Sequence, residues 1–153
     1  MPKIIPLKEQ LKNFEADCFS GDEPNKILRK YNMCVEQTKQ FVTDSGFTDV
    51  VIGLSGGIDS SLVAKIAVDA FGKEHVHGVI LPGPYTSQDS INDAKKLAEN
   101  LGIDSKTVFI NSAYEAFMKS FSENGTEASD LTSQNIQARC RMIMIMAFSN
   151  ENN

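Results

Sequence analysis

The sequence has few of the residues that covalent or metal cross-links need. It contains three cysteines, Cys18, Cys34 and Cys140, which lie far apart and show no CxxC spacing. An odd number of scattered cysteines predicts free thiols in a reducing compartment rather than a disulfide framework. We therefore expect a cytoplasmic protein.

Dense basic stretches and long apolar runs are also missing. The 15 basic and 20 acidic residues give a formal net charge of −5, and no basic run could follow a nucleic-acid backbone. The densest apolar run, residues 142–148, is far shorter than the ~20 residues that cross a bilayer. Charged side chains interrupt residues 1–30, where a signal peptide would need an apolar core. We expect no nucleic-acid partner, no membrane span and no export signal.

The apolar pattern predicts one domain of alternating helices and strands. Residues 1–24, rich in proline and charge, are predicted to form a lead-in segment, and the domain is expected to cover residues 25–153. Helical spacing predicts helices over residues 25–45, about 59–71, 89–101, around 113–121 and about 130–148, and apolar runs predict strands over 49–54, 75–81 and 107–110. This alternation predicts an α/β fold with a doubly wound parallel sheet.

The first predicted strand is followed by a glycine turn. Its consecutive valines and isoleucines indicate burial on both faces, as in the middle of a parallel sheet. The next residues, Ser-Gly-Gly-Ile-Asp-Ser (residues 55–60, the glycine loop), open a helix. Two glycines permit positive φ angles and a nest of backbone N–H groups, and the helix N-terminus attracts the same anion. The sequence therefore predicts a phosphate site at the carboxyl edge of the sheet.

One acidic side chain distinguishes this loop from a simple anion nest. Asp59 would repel a polyphosphate unless a divalent cation lay between them, which indicates Mg²⁺. The competing interpretation is a plain strand-to-helix turn in which aspartate or serine caps the helix. The functional interpretation is favoured because a buried strand precedes the loop and an amphipathic helix follows it. The loop has neither the lysine of a Walker A motif nor a GxGxxG pattern.

The only two histidines, His75 and His77, should point to the same face of a strand. Two ligands without a neighbouring cysteine are too few for zinc, so we expect solvated or hydrogen-bonded side chains. Neither Cys34 nor Cys140 shows the pairing with histidine that would indicate a nucleophile.

The glycine loop resembles the pyrophosphate loop of the N-type ATP pyrophosphatases, which cleave ATP between its α- and β-phosphates. Three further stretches, residues 76–82, 84–87 with 93–94, and 135–142, resemble NAD synthetase, particularly the synthetase domain of its glutamine-dependent forms. The resemblance covers about residues 25–150. It implies a Rossmann-like sheet of the adenine nucleotide alpha hydrolase type.

The resemblance also implies an activity and a set of contacts. A ligase of this family activates the nicotinate carboxylate of deamido-NAD as an adenylate, and ammonia then displaces AMP to form NAD; pyrophosphate leaves in the first step. Asp59 is implied as the Mg²⁺ ligand and Arg139 as a contact of deamido-NAD, whereas Arg141 stays open and no catalytic side chain is implied. The residues implied to bind ATP are Gly53, Leu54, Ser55, Gly56, Gly57, Ile58, Asp59 and Ser60.

The last predicted helix is apolar around nearly its whole circumference, which implies a second covering surface. The resemblance implies a homodimer through residues 130–148, and the alternative is burial beneath another part of the domain. In the family this helix leads into a fourth strand, so we expect the sheet to be incomplete on its C-terminal side. A non-catalytic nucleotide-binding or dimerisation module is the alternative function. A sulfur-transferring tRNA ligase is disfavoured because a basic surface and a cysteine pair are missing.

Overall fold

The computed structural model describes residues 25–123 and 125–151, so the predicted lead-in segment lies outside the described residues. Helices and strands alternate through this part of the chain. In order they are α1 (Lys26–Asp44), β1 (Val50–Leu54), α2 (Ile58–Phe71), β2 (Val76–Ile80), α3 (Gln88–Leu101), β3 (Asp104–Thr107), α4 (Asn111–Ser122) and α5 (Asp130–Glu151), and a short 3₁₀ helix, Lys73–His75, precedes β2.

The described strands form one parallel sheet in the order β1-β2-β3. Val50 pairs with Val76 and His77 with Asp104, so all three strands end at the same edge. Because parallel neighbours need a crossover, α2 joins β1 to β2 and α3 joins β2 to β3. The predicted parallel α/β fold is confirmed.

Apolar side chains cover both faces of the sheet. On one face α2 and α3 pack through buried alanines, which let the helix backbones approach the strands closely. The core on this side contains Leu54, Ala64, Ala67, Val76, Ile80, Ile91, Ala94, Ala98 and Ile103. On the other face α4 and α5 enclose Val79, Leu81, Ile110, Tyr114 and Cys140. The sheet is therefore wound on both sides, as predicted.

Both faces of β1 are covered, as predicted, by α2 and α5, and β2 holds the middle position among the described strands. One detail of the predicted sheet was wrong. The third strand spans Asp104–Thr107 instead of residues 107–110. Its pairing continues beyond that assignment, because the N–H of Val108 donates to the Ile80 carbonyl at 2.9 Å and that of Ile110 to the Pro82 carbonyl at 3.0 Å.

Helix α1 packs against α2 on the outside of the domain. The Tyr31 hydroxyl donates to Asp69 Oδ2 at 2.5 Å. Burial, together with this bond and the Asp69 charge, raises the pKa of Tyr31 to about 12. The hydrogen bond from Lys65, followed by that from Tyr31, lowers the pKa of Asp69. Across the described ranges, no helix combines the length and hydropathy that a bilayer crossing requires.

Candidate functional site

The glycine loop folds into a tight turn at the carboxyl end of β1. Gly56 has φ +78°, a left-handed conformation that side chains disfavour, and Gly57 lies just before the start of α2 at Ile58. A Cβ atom on Gly56 would lie 2.5 Å from the backbone oxygen of Ser90. Glycine at position 56 is thus required both by the backbone angle and by the first turn of α3.

Serine hydroxyls hold the loop in this shape. Ser60 Oγ donates to the Gly57 carbonyl at 3.0 Å and lies 2.9 Å from Ser55 Oγ, while Ser61 Oγ donates to the same carbonyl at 2.9 Å. The N–H of Ser55 donates to Ser60 Oγ, and that of Gly57 donates to Ser55 Oγ. The amides of the first helical turn have no intrahelical acceptor, so they can bind an anion.

A cavity of about 530 Å³ opens beside this loop, where β1 and β2 end. Its walls combine apolar strand ends with hydroxyl groups, a mixture suited to a nucleotide-sized ligand at the carboxyl edge of an α/β sheet. The lining residues are Gly53, Leu54, Ser55, Val79, Ile80, Leu81, Pro82, Tyr85, Thr86, Ser87, Ser90, Ile91, Arg141 and Ile145.

A second helix N-terminus also borders the cavity. Ser87 caps α3 by accepting a hydrogen bond from the Ser90 N–H at 3.2 Å, and the two hydroxyls lie 2.9 Å apart. Thr86 Oγ1 accepts from the Gly83 N–H at 2.9 Å. The sequence did not single out Ser90, although the Ser-x-x-Ser pattern after the second strand is the capping signal that could have indicated it.

The predicted site residues occupy different positions around this cavity. Gly53, Leu54 and Ser55 line it, and the remainder of the glycine loop forms its edge. Asp59 is exposed in the first turn of α2. In residues 25–123 and 125–151, no group of three or more histidine, cysteine or acidic side chains is arranged to hold a metal ion. A single carboxylate still fits Mg²⁺, since that ion commonly completes its shell with ligand phosphates and water.

The two arginines of α5 point in different directions. Arg139 is exposed, and its Nη1 contacts the Asn135 backbone and side-chain oxygens on the same helix at 3.5 and 3.4 Å. Arg141 lines the cavity, and its Nε donates to the Leu81 carbonyl at 3.1 Å. Residues two apart on an α-helix are separated by roughly 200°. Arg141, whose role the sequence did not decide, is therefore the arginine beside the cavity.

An aromatic pair stands at the cavity wall. The Tyr85 ring meets the Tyr114 ring edge to face, with centroids 6.4 Å apart and planes at 80°. Tyr114, through hydrogen bonding and charge, raises the pKa of Tyr85. The Tyr114 hydroxyl also lies 2.8 Å from Ser133 Oγ, which ties α4 to α5. Tyr85 itself is largely exposed, so its ring is accessible to a ligand.

The histidines lie at the opposite edge of the sheet. His75 Nδ1 and His77 Nε2 lie 3.4 and 3.2 Å from Asp49 Oδ1, and the Thr48 hydroxyl donates to Asp49 Oδ2 at 2.6 Å. The hydrogen bond from Thr48, then those from the two histidines, lower the pKa of Asp49. This cluster joins the amino ends of β1 and β2, which is a structural task remote from the cavity.

Comparison with known proteins identifies the relatives of this chain. The NAD synthase family matches residues 30–153. The glutamine-dependent NAD(+) synthetase of Aquifex aeolicus is 46% identical over 151 residues, which cover 96% of this chain and 27% of that protein. The NH(3)-dependent NAD(+) synthetase of Fusobacterium nucleatum is 40% identical over 123 residues, which cover 80% of this chain and 46% of that protein.

The fold has a close counterpart among solved structures. Glutamine-dependent NAD+ synthetase from Acinetobacter baumannii, in complex with adenosine diphosphate, superposes with a TM-score of 0.80 at 39% identity, over 86% of this chain and 25% of that one. The chain thus spans between a quarter and a half of the length of these relatives. Because the family match extends over most of the sequence and includes the glycine loop, the α3 start and the arginine helix, the chain belongs to the NAD synthase family.

Proposed function

We propose that this chain is the nucleotide-binding part of an NAD synthetase, a carbon–nitrogen ligase that forms AMP. The observation that carries the proposal is the glycine loop at the N-terminus of α2, on the edge of a cavity of about 530 Å³, in a chain of the NAD synthase family. The related synthetase from Acinetobacter baumannii forms a complex with adenosine diphosphate, which supports a nucleotide as the ligand here.

The proposed reaction has two steps. An oxygen of the nicotinate carboxylate of deamido-NAD attacks the α-phosphorus of ATP, the bond to the bridging oxygen of the β-phosphate breaks, and pyrophosphate leaves with that electron pair. Ammonia then attacks the acyl carbon of the adenylate, and the bond from that carbon to the oxygen bridging to phosphorus breaks. AMP leaves with that bridging oxygen and the electron pair, and the nitrogen loses a proton. The products are NAD, AMP and pyrophosphate.

In this proposal the residues of the chain bind and position the substrates and form no covalent bond with them. We propose that the backbone from Gly53 to Ser60 holds the ATP phosphates, because main-chain donors placed where charge accumulates lower the barrier to phosphoryl transfer. Asp59 would hold Mg²⁺, which neutralises phosphate charge when bound. Arg139 would contact deamido-NAD from the exposed side of α5, where its guanidinium can pair with a carboxylate or phosphate.

A homodimer through α5 forms part of the proposal. Met142, Ile143 and Met146 remain more than half exposed on this helix, and apolar surface of this kind is typical of an interface. A second copy would cover these side chains and bring additional groups close to Arg139. We also propose a cytoplasmic location, which the scattered cysteines predict.

The test supplies the 153-residue chain with deamido-NAD, ammonium, ATP and Mg²⁺ and measures NAD and AMP by chromatography. Equimolar NAD and AMP are expected. Binding of ATP without either product would instead favour the non-catalytic nucleotide-binding module. Replacing ammonium by glutamine provides the control, because the proposed nitrogen donor for this chain is free ammonia.

A further inference from the structure

The described residues around the cavity offer hydrogen-bond donors on several sides but one charged side chain. The lining residues with polar side chains are Ser55, Tyr85, Thr86, Ser87, Ser90 and Arg141. Arg141 is the single charged side chain among the lining residues that the structure describes. A cavity with one cation and no carboxylate in its lining is complementary to an anionic ligand.

Arg141 is held in place through one of its three nitrogens. Its Nε donates to the Leu81 carbonyl at 3.1 Å, sixty positions away in the sequence. A Cβ atom on Gly83 would lie 3.1 Å from Arg141 Nη2 and 3.0 Å from Gln137 Oε1, so two side chains of α5 press against the loop that follows β2. The guanidinium therefore fixes the relative position of α5 and the cavity wall.

The terminal nitrogens of Arg141 have no hydrogen-bond partner among the residues that the structure describes. Within the described ranges, the Leu81 bond is the only hydrogen bond of this side chain, and no ion pair joins it to an acidic residue. A half-buried guanidinium normally needs a carboxylate or phosphate partner, because desolvating an unpaired charge is costly. A ligand in the cavity can supply that partner.

We propose that Arg141 binds a phosphate of the nucleotide in this cavity with its terminal nitrogens while its Nε holds the wall at Leu81. The inference rests on the proposed function, which supplies the nucleotide. It separates the two arginines of α5: Arg141 acts on the nucleotide inside the cavity, and Arg139 acts on the exposed side. A side chain at position 83 would crowd the guanidinium, because its Cβ would lie 3.1 Å from Arg141 Nη2.

The test compares ligands with and without phosphate. Binding of ATP with Mg²⁺ and of adenosine to the wild-type chain and to Arg141→Gln is measured by NMR titration, which covers millimolar Kd values. We expect Arg141→Gln to raise the Kd for ATP about 10- to 100-fold, the range for a lost charge-assisted hydrogen bond, and the Kd for adenosine less than about 3-fold. A purely structural role would weaken both ligands equally, and that result would overturn the proposal.

Two further variants keep the test decisive. Lys119→Gln removes one exposed positive charge whose ion pair with Glu123 measures 3.9 Å, and it should leave both Kd values unchanged. If Arg141→Gln does not fold, Arg141→Lys keeps the charge but cannot bond Leu81 and a phosphate in the same fork geometry. It should weaken ATP and spare adenosine, and weakening of neither ligand would refute the inference. A wild-type chain that binds no ATP would defeat the proposed function itself, together with this extension.

Discussion

The backbone oxygen of Ser90 lies 2.5 Å from the position that a Cβ atom on Gly56 would occupy. The clash is with backbone rather than with a flexible side chain, and Gly56 also has φ +78°. Gly56→Ala should therefore lower the free energy of unfolding by about 2 to 4 kcal/mol, from left-handed strain and overpacking combined. Urea denaturation followed by circular dichroism measures this loss.

The neighbouring glycine provides a matched control for that change. Gly57 has φ −85°, and the nearest atom to its added Cβ would be Ser55 Oγ at 3.4 Å, an ordinary contact. Gly57→Ala should change the free energy of unfolding by less than about 1 kcal/mol. Equal losses of unfolding free energy in both variants would contradict the difference that the geometry predicts between positions 56 and 57.

Asp59 allows ligand binding to be separated from stability. Asp59→Asn should raise the Kd for ATP about tenfold in the presence of Mg²⁺, through loss of a charged ligand of the ion. Its effect on the free energy of unfolding should stay within about 1 kcal/mol, because the change removes one exposed charge at a helix N-terminus. Calorimetric titration with ATP, once in the presence of Mg²⁺ and once with EDTA, measures the Kd with and without the metal ion. The metal role fails if the two proteins bind ATP equally with Mg²⁺ present.

Arg139→Ala should weaken the binding of deamido-NAD and spare that of ATP, whereas Arg141→Gln should weaken the binding of ATP. Because Arg139 is exposed and its hydrogen bonds in the described part of the chain go to oxygens of Asn135, its loss should leave the fold and the ATP titration largely intact. Binding of deamido-NAD should weaken about tenfold. Fluorescence-monitored titration with each ligand measures the two effects. A variant that loses ATP and retains deamido-NAD would contradict the assignment.

The Asp49 carboxyl should make a contribution to the free energy of unfolding that is lost at acid pH. Thr48, followed by the two histidines, lowers the pKa of this carboxyl from its ordinary value of 3.8. A depressed folded-state pKa stabilises the fold above the ordinary value and loses that stabilisation as the pH falls through the folded-state value. The contribution of the Asp49 carboxylate to the difference in free energy of unfolding between the wild-type chain and Asp49→Asn should thus be fully present above about pH 5 and shrink below about pH 4.

Denaturation curves at a series of pH values measure that difference. Gln37→Asn, on the exposed side of α1, is the control: it removes no titrating group, so its difference from the wild-type chain should stay constant across the pH series. A wild-type advantage that stayed constant down to about pH 2.5 would exclude the linkage.

The order of elements was predictable because α2 and α3 bury a periodic apolar face and because β1 and β2 begin with β-branched valines. The third strand was displaced because its paired beginning, Asp104–Thr107, is polar and mostly exposed at the sheet edge. The apolar signal came from the later residues, Val108 and Ile110, whose amides continue the pairing. Likewise, burial of both faces indicated a central β1, although helices on two sides provide that cover in the described sheet.

The glycine loop could be predicted because consecutive residues form it. Other parts of the site depend on contacts between residues that are distant in the sequence. The apolar pattern of α5 extends around the helix and does not specify its rotation, so the sequence could not decide whether Arg139 or Arg141 faces the cavity. The cluster at Asp49 depends on the register of β1 and β2, which brings residues 28 positions apart together. Neither relationship follows from residue spacing along one element.

Strand β1 separates two kinds of chemistry. Asp49 precedes it and Ser55 follows it, and five extended residues span about 16 Å. The Asp49 cluster and the cavity are therefore farther apart than the Debye length of about 8 Å at physiological ionic strength, so charge changes at one end are largely screened from the other. Acid tolerance of this domain can consequently be engineered at the Asp49 end while ligand affinity is tuned separately at the loop.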